Sequence, residues 1–174
     1  MKKFKVAGSI IGILACIVGV YVYLSNDNGG LKLNVKKIDP VTTKEAKTKI
    51  EKGFEAPVSS KETEAYEIMS EGELIQEVHN MTHQKVKADK KWGSSEITAE
   101  KVQKLFDVIK NKDFKNGSNK QMLLDILEPW ITKDFTNAVS AHNRIWAYQN
   151  GTIGKATRTL SPQEELEYIQ KEFR

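Results

Sequence analysis

The sequence predicts an all-α protein built as an N-terminal transmembrane helix, a flexible tether and a compact bundle of about five helices. Three observations carry that expectation. An uncharged run fills residues 6–24. Helix starts are written as Ser/Thr caps followed by an acid, at Ser70–Glu73 and Ser161–Glu164. Beyond residue 63 the apolar residues recur at three- and four-residue spacing rather than alternating.

The N-terminus comes first. Lys2, Lys3 and Lys5 precede the apolar run and no acid lies before Asp27, so residues 1–5 form a basic cytoplasmic end. A helix over the nineteen residues 6–24 spans about 28 Å, close to a bilayer's hydrocarbon thickness. The run ends in Tyr21-Val22-Tyr23-Leu24 without a small-residue cleavage pattern, so an uncleaved anchor is expected. Ile13-Leu14-Ala15-Cys16 has the form of a lipobox, yet the apolar residues 17–24 after it do not suit a lipoprotein, and lipidation of Cys16 stays open. The positive-inside rule then puts the chain in the cell membrane as a single-pass protein, N-terminus cytoplasmic and the rest outside. The lipid bilayer, through residues 6–24, is the first partner.

Residues 25–62 read as an extracytoplasmic tether. Gly29-Gly30 breaks a helix, Pro40 and Pro57 punctuate the stretch, and Leu31, Leu33 and Val35 alternate as a short strand does. Thr43 to Glu51 has the pattern of a helical turn or two, with too little apolar surface to stand alone.

The helical domain is expected over residues 63–174. A first long helix opens at Ser70 and runs to Lys91 with Gly93 as its stop, placing Leu74, Ile75, Val78, Met81, Val86 and Trp92 on one face. Thr98 caps a second helix whose core face is Val102, Leu105, Phe106 and Ile109. A short third covers about 120–127 before Pro129, and a fourth runs from about Lys133 to Gln149, closed by Asn150-Gly151. Ser161-Pro162 opens the last, which buries Leu166, Ile169 and Phe173. No strand is expected in this part.

Charge and composition exclude some functions. Without the three N-terminal lysines, basic and acidic residues nearly balance, which is a poor footprint for nucleic acid. Cys16 is the one cysteine, so the exported part has neither a disulfide nor a cysteine nucleophile. Gly151-Thr152-Ile153-Gly154-Lys155 has the wrong spacing for a phosphate loop and reads as an ordered connection between helices.

The three histidines hold the remaining chemistry. His79 and His83 stand four apart, a spacing that metal ligands use on a helix, but Asn80 occupies the place of the glutamate in H-E-x-x-H. The wheel sets His79 at the rim of the apolar face and His83 further toward solvent. They are candidate ligands; no metal, cofactor or catalytic residue is assigned. His142 shares a face with Phe135, Val139, Ile145 and Trp146 and is expected as a neutral, hydrogen-bonded member of a polar core.

Four segments carry a resemblance: His79-Asn80-Met81-Thr82-His83-Gln84-Lys85-Val86, Lys91-Trp92-Gly93, His142-Asn143-Arg144-Ile145-Trp146 and Gly151-Thr152-Ile153-Gly154. In that order the chain resembles an uncharacterised family of small membrane-anchored proteins from spore-forming Gram-positive bacteria. The resemblance implies a bacterial host and an outward-facing domain, and it implies no reaction. The leading expectation is therefore a non-enzymatic interaction module of the bacterial cell envelope whose partner is another envelope or membrane protein. The alternative is a histidine-based metal or pH sensor, which requires His142 to approach His79 and His83. An envelope enzyme, which requires an acid beside His142, ranks last.

Overall fold

A computed structural model of the protein describes residues 20–27, 30–37 and 41–174. The chain divides into two compact units, Met1–Val41 and Thr42–Arg174.

In the first unit, β1 (Val20–Asp27) pairs antiparallel with β2 (Gly30–Lys37), with Val22 opposite Val35 and Leu24 opposite Leu33. The alternation of Leu31, Leu33 and Val35 thus falls in a strand, as expected. Val20 to Leu24, expected as the outer end of the anchor helix, are strand instead. Their β-branched and aromatic residues suit a pleated ribbon as well as a helix. Residues 6–19 of the expected anchor, with Cys16 among them, lie outside the described residues. Among the described residues no helix is long and apolar enough to cross a membrane.

The second unit is all-α. Its seven helices are α1 (Thr43–Phe54), α2 (Ser60–Ile68), α3 (Glu71–Thr82), α4 (Ala99–Asn111), α5 (Gly117–Ile131), α6 (Ala138–Tyr148) and α7 (Pro162–Phe173). A two-residue ladder joins β3 (Val86–Lys87) to β4 (Arg158–Thr159), where no strand was expected.

Helix α1 corrects the expected tether, and α2 begins three residues before the expected start of the helical domain. The compact unit begins at Thr42, whose hydroxyl caps α1 in a capping box with Glu45. Helix α1 packs on α7 and buries Ala46 and Phe54, and α2 packs on α4 and buries Tyr66. At 12 and 9 residues both are too short to be stable alone, and each is held by the surface it covers.

Helix starts follow their sequence signals. Ser70 with Glu73 and Ser161 with Glu164 form complete capping boxes, and the Thr98 hydroxyl accepts from Lys101 N. The expected faces are buried in α4 (Val102, Leu105, Ile109) and in α7 (Leu166, Ile169).

Several helix boundaries depart from expectation, whereas α6 ends at Tyr148 with Asn150 left-handed (φ 57°), as Asn150-Gly151 predicted. Helix α5 starts earlier because the Asn116 side chain caps Ser118 N, and it runs past Pro129, which sits in its last turn. Lys133 then turns left-handed (φ 63°), with Lys133 N donating to Trp130 O and Asp134 N to Pro129 O. Those residues close α5, so α6 cannot begin until Ala138. Helix α3 stops at Thr82 rather than Lys91, because the next residues bond to other elements. His83 Nδ1 donates to Gly93 O, and Gln84 accepts from Ile97 N. Val86 enters the β3–β4 ladder, and Trp92, expected on the buried face of α3, is 64% exposed. The pairing that matters for the site is α3 against α6.

Candidate metal centre

His79 and His83 project from the last turn and C-cap of α3, and His142 from the middle of α6. The packing of the two helices brings all three imidazoles together. Ring centroids lie 4.6 Å apart for His79–His142, 5.0 Å for His79–His83 and 5.3 Å for His83–His142. Each ring offers one nitrogen to a group in which all three atoms lie within 4.8 Å of one another. The wheel's placement of His79 at the rim and His83 toward solvent is corrected: they are 8% and 2% exposed, and His142 is 1%. The rim reading failed because α6 covers that side of α3, and because residues 91–93 fold back over His83 after the helix ends.

The partners fix each tautomer. Carbonyl oxygens only accept, so His83 Nδ1 carries a proton for Gly93 O (2.8 Å) and His142 Nε2 one for Gly154 O (3.0 Å). A chain of amides settles His79. Asn80 Oδ1 accepts from Gln76 Nε2, Gln76 Oε1 accepts from Gln149 Nε2, and Gln149 Oε1 is left to accept from His79 Nδ1 at 2.7 Å. The nitrogens with lone pairs are then His79 Nε2, His83 Nε2 and His142 Nδ1.

Those lone pairs are short of donors. His79 Nε2 is the one buried side-chain polar atom among the described residues without a hydrogen-bond partner. Thr82 Oγ1 lies 2.6 Å from His79 O and 2.9 Å from His142 Nδ1. Its single proton serves one of these acceptors at a time. Leaving a buried acceptor empty costs about 1–3 kcal/mol, so the arrangement asks for a ligand that supplies positive charge.

Burial also holds the rings neutral. Desolvation pushes His83 and His142 down to about 4, outweighing the carbonyl bonds that favour their charged forms. It lowers His79 as well, against the opposing bond to Gln149. Lys91, whose ammonium donates to His83 O at 2.7 Å, is brought down to about 8 by its own burial.

The loops around the cluster depend on glycine. Gly93 and Gly154, whose carbonyls orient two of the histidines, have φ of 82° and 90°. A Cβ at Gly93 would lie 2.8 Å from Asn80 Oδ1, and one at Gly154 would lie 2.6 Å from Lys90 O. Asn143 clamps the second loop, donating to Ala156 O and accepting from Ala156 N. Trp146 Nε1 donates to Ile153 O at 2.8 Å.

Three neutral imidazoles with the second nitrogen of each tied to a fixed acceptor are the donor set of a zinc-class ion. Tetrahedral ligands about 2.0–2.1 Å from such an ion stand about 3.3 Å apart. The present spacing of up to 4.8 Å therefore closes on binding. For His142 to join, the Thr82 proton turns to His79 O, which is already in range. Asn80, at the glutamate position of H-E-x-x-H, supplies no general base.

Sequence reasoning found all three histidines and the i, i+4 pair, but not their convergence. It also missed Thr82, Gln149, Gly93 and Gly154 as the groups that orient them. The signal for the last two was present: the four segments of the resemblance are the ones gathered here. The model of a family described as "Family of unknown function (DUF6241)" matches residues 78–170. No curated protein and no solved structure matches the chain.

Proposed function

The chain belongs to the family of unknown function DUF6241, and we propose that its helical domain is a metal-binding module that holds one zinc-class divalent ion on His79, His83 and His142. One observation carries the reading: three buried, neutral imidazoles each offer a nitrogen to one cluster, and His79 Nε2 in it has no hydrogen-bond partner. The ion would satisfy those lone pairs and draw α3, α6 and the two glycine loops together.

Of the two histidine-based readings, metal is favoured over pH sensing. A sensor for mildly acidic surroundings needs histidines that titrate near pH 5–7; burial holds two of the three, His83 and His142, near 4 and lowers His79 as well. The interaction-module reading has no comparable set of converging groups behind it. Three neutral ligands are a complete metal site only with a further ligand, so sensing, storage and delivery suit this geometry better than a purely structural ion.

The setting we propose is the outer face of a bacterial cell envelope, held there by the uncharged run that begins at Val6 and precedes β1. Its support is the lysine cluster ahead of that uncharged run.

Isothermal titration calorimetry of the full chain with zinc tests the function. One ion per chain is expected, and His79→Ala, His83→Ala and His142→Ala should each weaken binding at least about tenfold. Circular dichroism of the same variants separates lost ligation from lost folding. Wild-type affinity in folded variants of all three would remove the proposal.

A further inference from the structure

A cavity of about 130 Å³ opens beside the cluster, and His79, His83 and His142 are all part of its lining. Its other walls are mainly apolar. Trp92, Trp146 and Ile153 contribute to them, and Trp92 and Ile153 are 64% and 54% exposed, so the apolar rim meets solvent. The Trp146 indole N–H is already used on Ile153 O. Lys90 lines the same space, and Lys155 Nζ lies 5.9 Å from the Trp146 ring centroid. No Asp or Glu is in the lining.

Resting on the metal reading above, we propose that this cavity is the site of the ion's exchangeable ligand, and that the ligand is a small organic carboxylate with an apolar body. The charge argument is direct. Three neutral imidazoles leave a divalent ion with its full charge of two, and the lining adds a lysine and no acid to offset it. The fourth position of a three-histidine ion is open to an exogenous ligand. An anionic oxygen fills it best, because carboxylate oxygen ligates such ions while neutralising charge in a partly dehydrated space. The indole and isoleucine walls then favour a ligand whose remainder is apolar and flat. The cavity volume restricts it to about one ring.

The glycines belong to the same device. A side chain at Gly154 would meet Lys90 O at 2.6 Å and Trp92 at 3.5 Å, so glycine lets the loop close on the segment that carries Lys90 and Trp92.

The test uses the full chain loaded with cobalt(II), whose visible absorption reports coordination. Acetate, benzoate and inorganic phosphate are titrated separately. Benzoate should perturb the cobalt bands, at a concentration about tenfold or more below acetate, because only benzoate covers the apolar walls. Phosphate should bind no better than acetate. Trp92→Ala, at an exposed position, should narrow the benzoate–acetate gap in the cobalt-loaded protein. Cobalt bands that ignore benzoate, or that respond equally to acetate and benzoate, overturn this inference and leave the metal site standing. The absence of any cobalt band overturns the metal reading itself, and this inference with it.

Discussion

Residues 83–85 run between two buried polar clusters of opposite character. Gln84 and Lys85 reach one side, where Glu165 of α7 accepts from Lys85 Nζ at 2.5 Å and from Gln84 Nε2 at 3.0 Å on the same oxygen. Gln84 Oε1 in turn accepts from Ile97 N, so donors and acceptors match throughout. His83 reaches the other side, where three imidazoles meet and one nitrogen has no partner at all. Both clusters are desolvated, and both join segments far apart in sequence. The first is complete as it stands and needs nothing from outside, as a structural node does. The second leaves one buried nitrogen, His79 Nε2, without a partner, and the proposed cation would fill it. The difference identifies the site: burial is common to both, and incompleteness belongs to one.

The largest expected effect is on the complete node. Lys85→Met removes the cation and leaves the Glu165 carboxylate, 10% exposed, beside apolar surface. Breaking such a pair costs about 3–5 kcal/mol, read as a lower denaturation midpoint in urea. Adding Glu165→Leu should recover most of the loss, and neither change should alter zinc affinity. A single mutant as stable as wild type would show that the node is not a node.

Acid should separate the clusters next. His83 and His142 have folded-state values near 4, below the unfolded value of about 6.5. Between those limits the unfolded chain takes up protons that the folded chain refuses. Stability contributed by each neutral ring is therefore complete above about pH 6.5 and declines as pH falls through the window, by up to about 1.4 kcal/mol per pH unit for each ring. Urea titrations of metal-free protein at about pH 7 and pH 5.5 check the sign. Stability that rises on acidification would mean that the histidines are paired with anions, contrary to the geometry.

The smallest effect is the most discriminating. Thr82→Val keeps the shape of a fully buried side chain and removes the proton that serves His142 Nδ1. The metal-free protein should lose about 1–3 kcal/mol. Zinc should restore most of it, because the ion then fills the same lone pair. A loss of equal size with and without zinc would place His142 in the structural class with Glu165.

The capped starts of α3, α4 and α7 and the Asn150-Gly151 stop of α6 were legible, and the starts of α5 and α6 and the stop of α3 were not. Ser70, Thr98 and Ser161 start α3, α4 and α7 where their side chains say, because a cap is a local bargain between a hydroxyl and a nearby amide. The stop of α3 at Thr82 depends on Gly93, Ile97 and Thr159, which no local pattern around residue 82 names. Helix α1 looked like tether because its order comes from α7. The site divides the same way. The pair His79–His83 and the buried place of His142 are readable from spacing, whereas their meeting requires the pairing of α3 with α6.

X-ray absorption at the zinc edge of the loaded full chain tests the central claim most directly. The account predicts three imidazole nitrogens at about 2.0–2.1 Å with an exchangeable oxygen ligand completing the sphere, and loss of one imidazole contribution in His142→Ala. A sphere of oxygen ligands, or one imidazole at most, would contradict it.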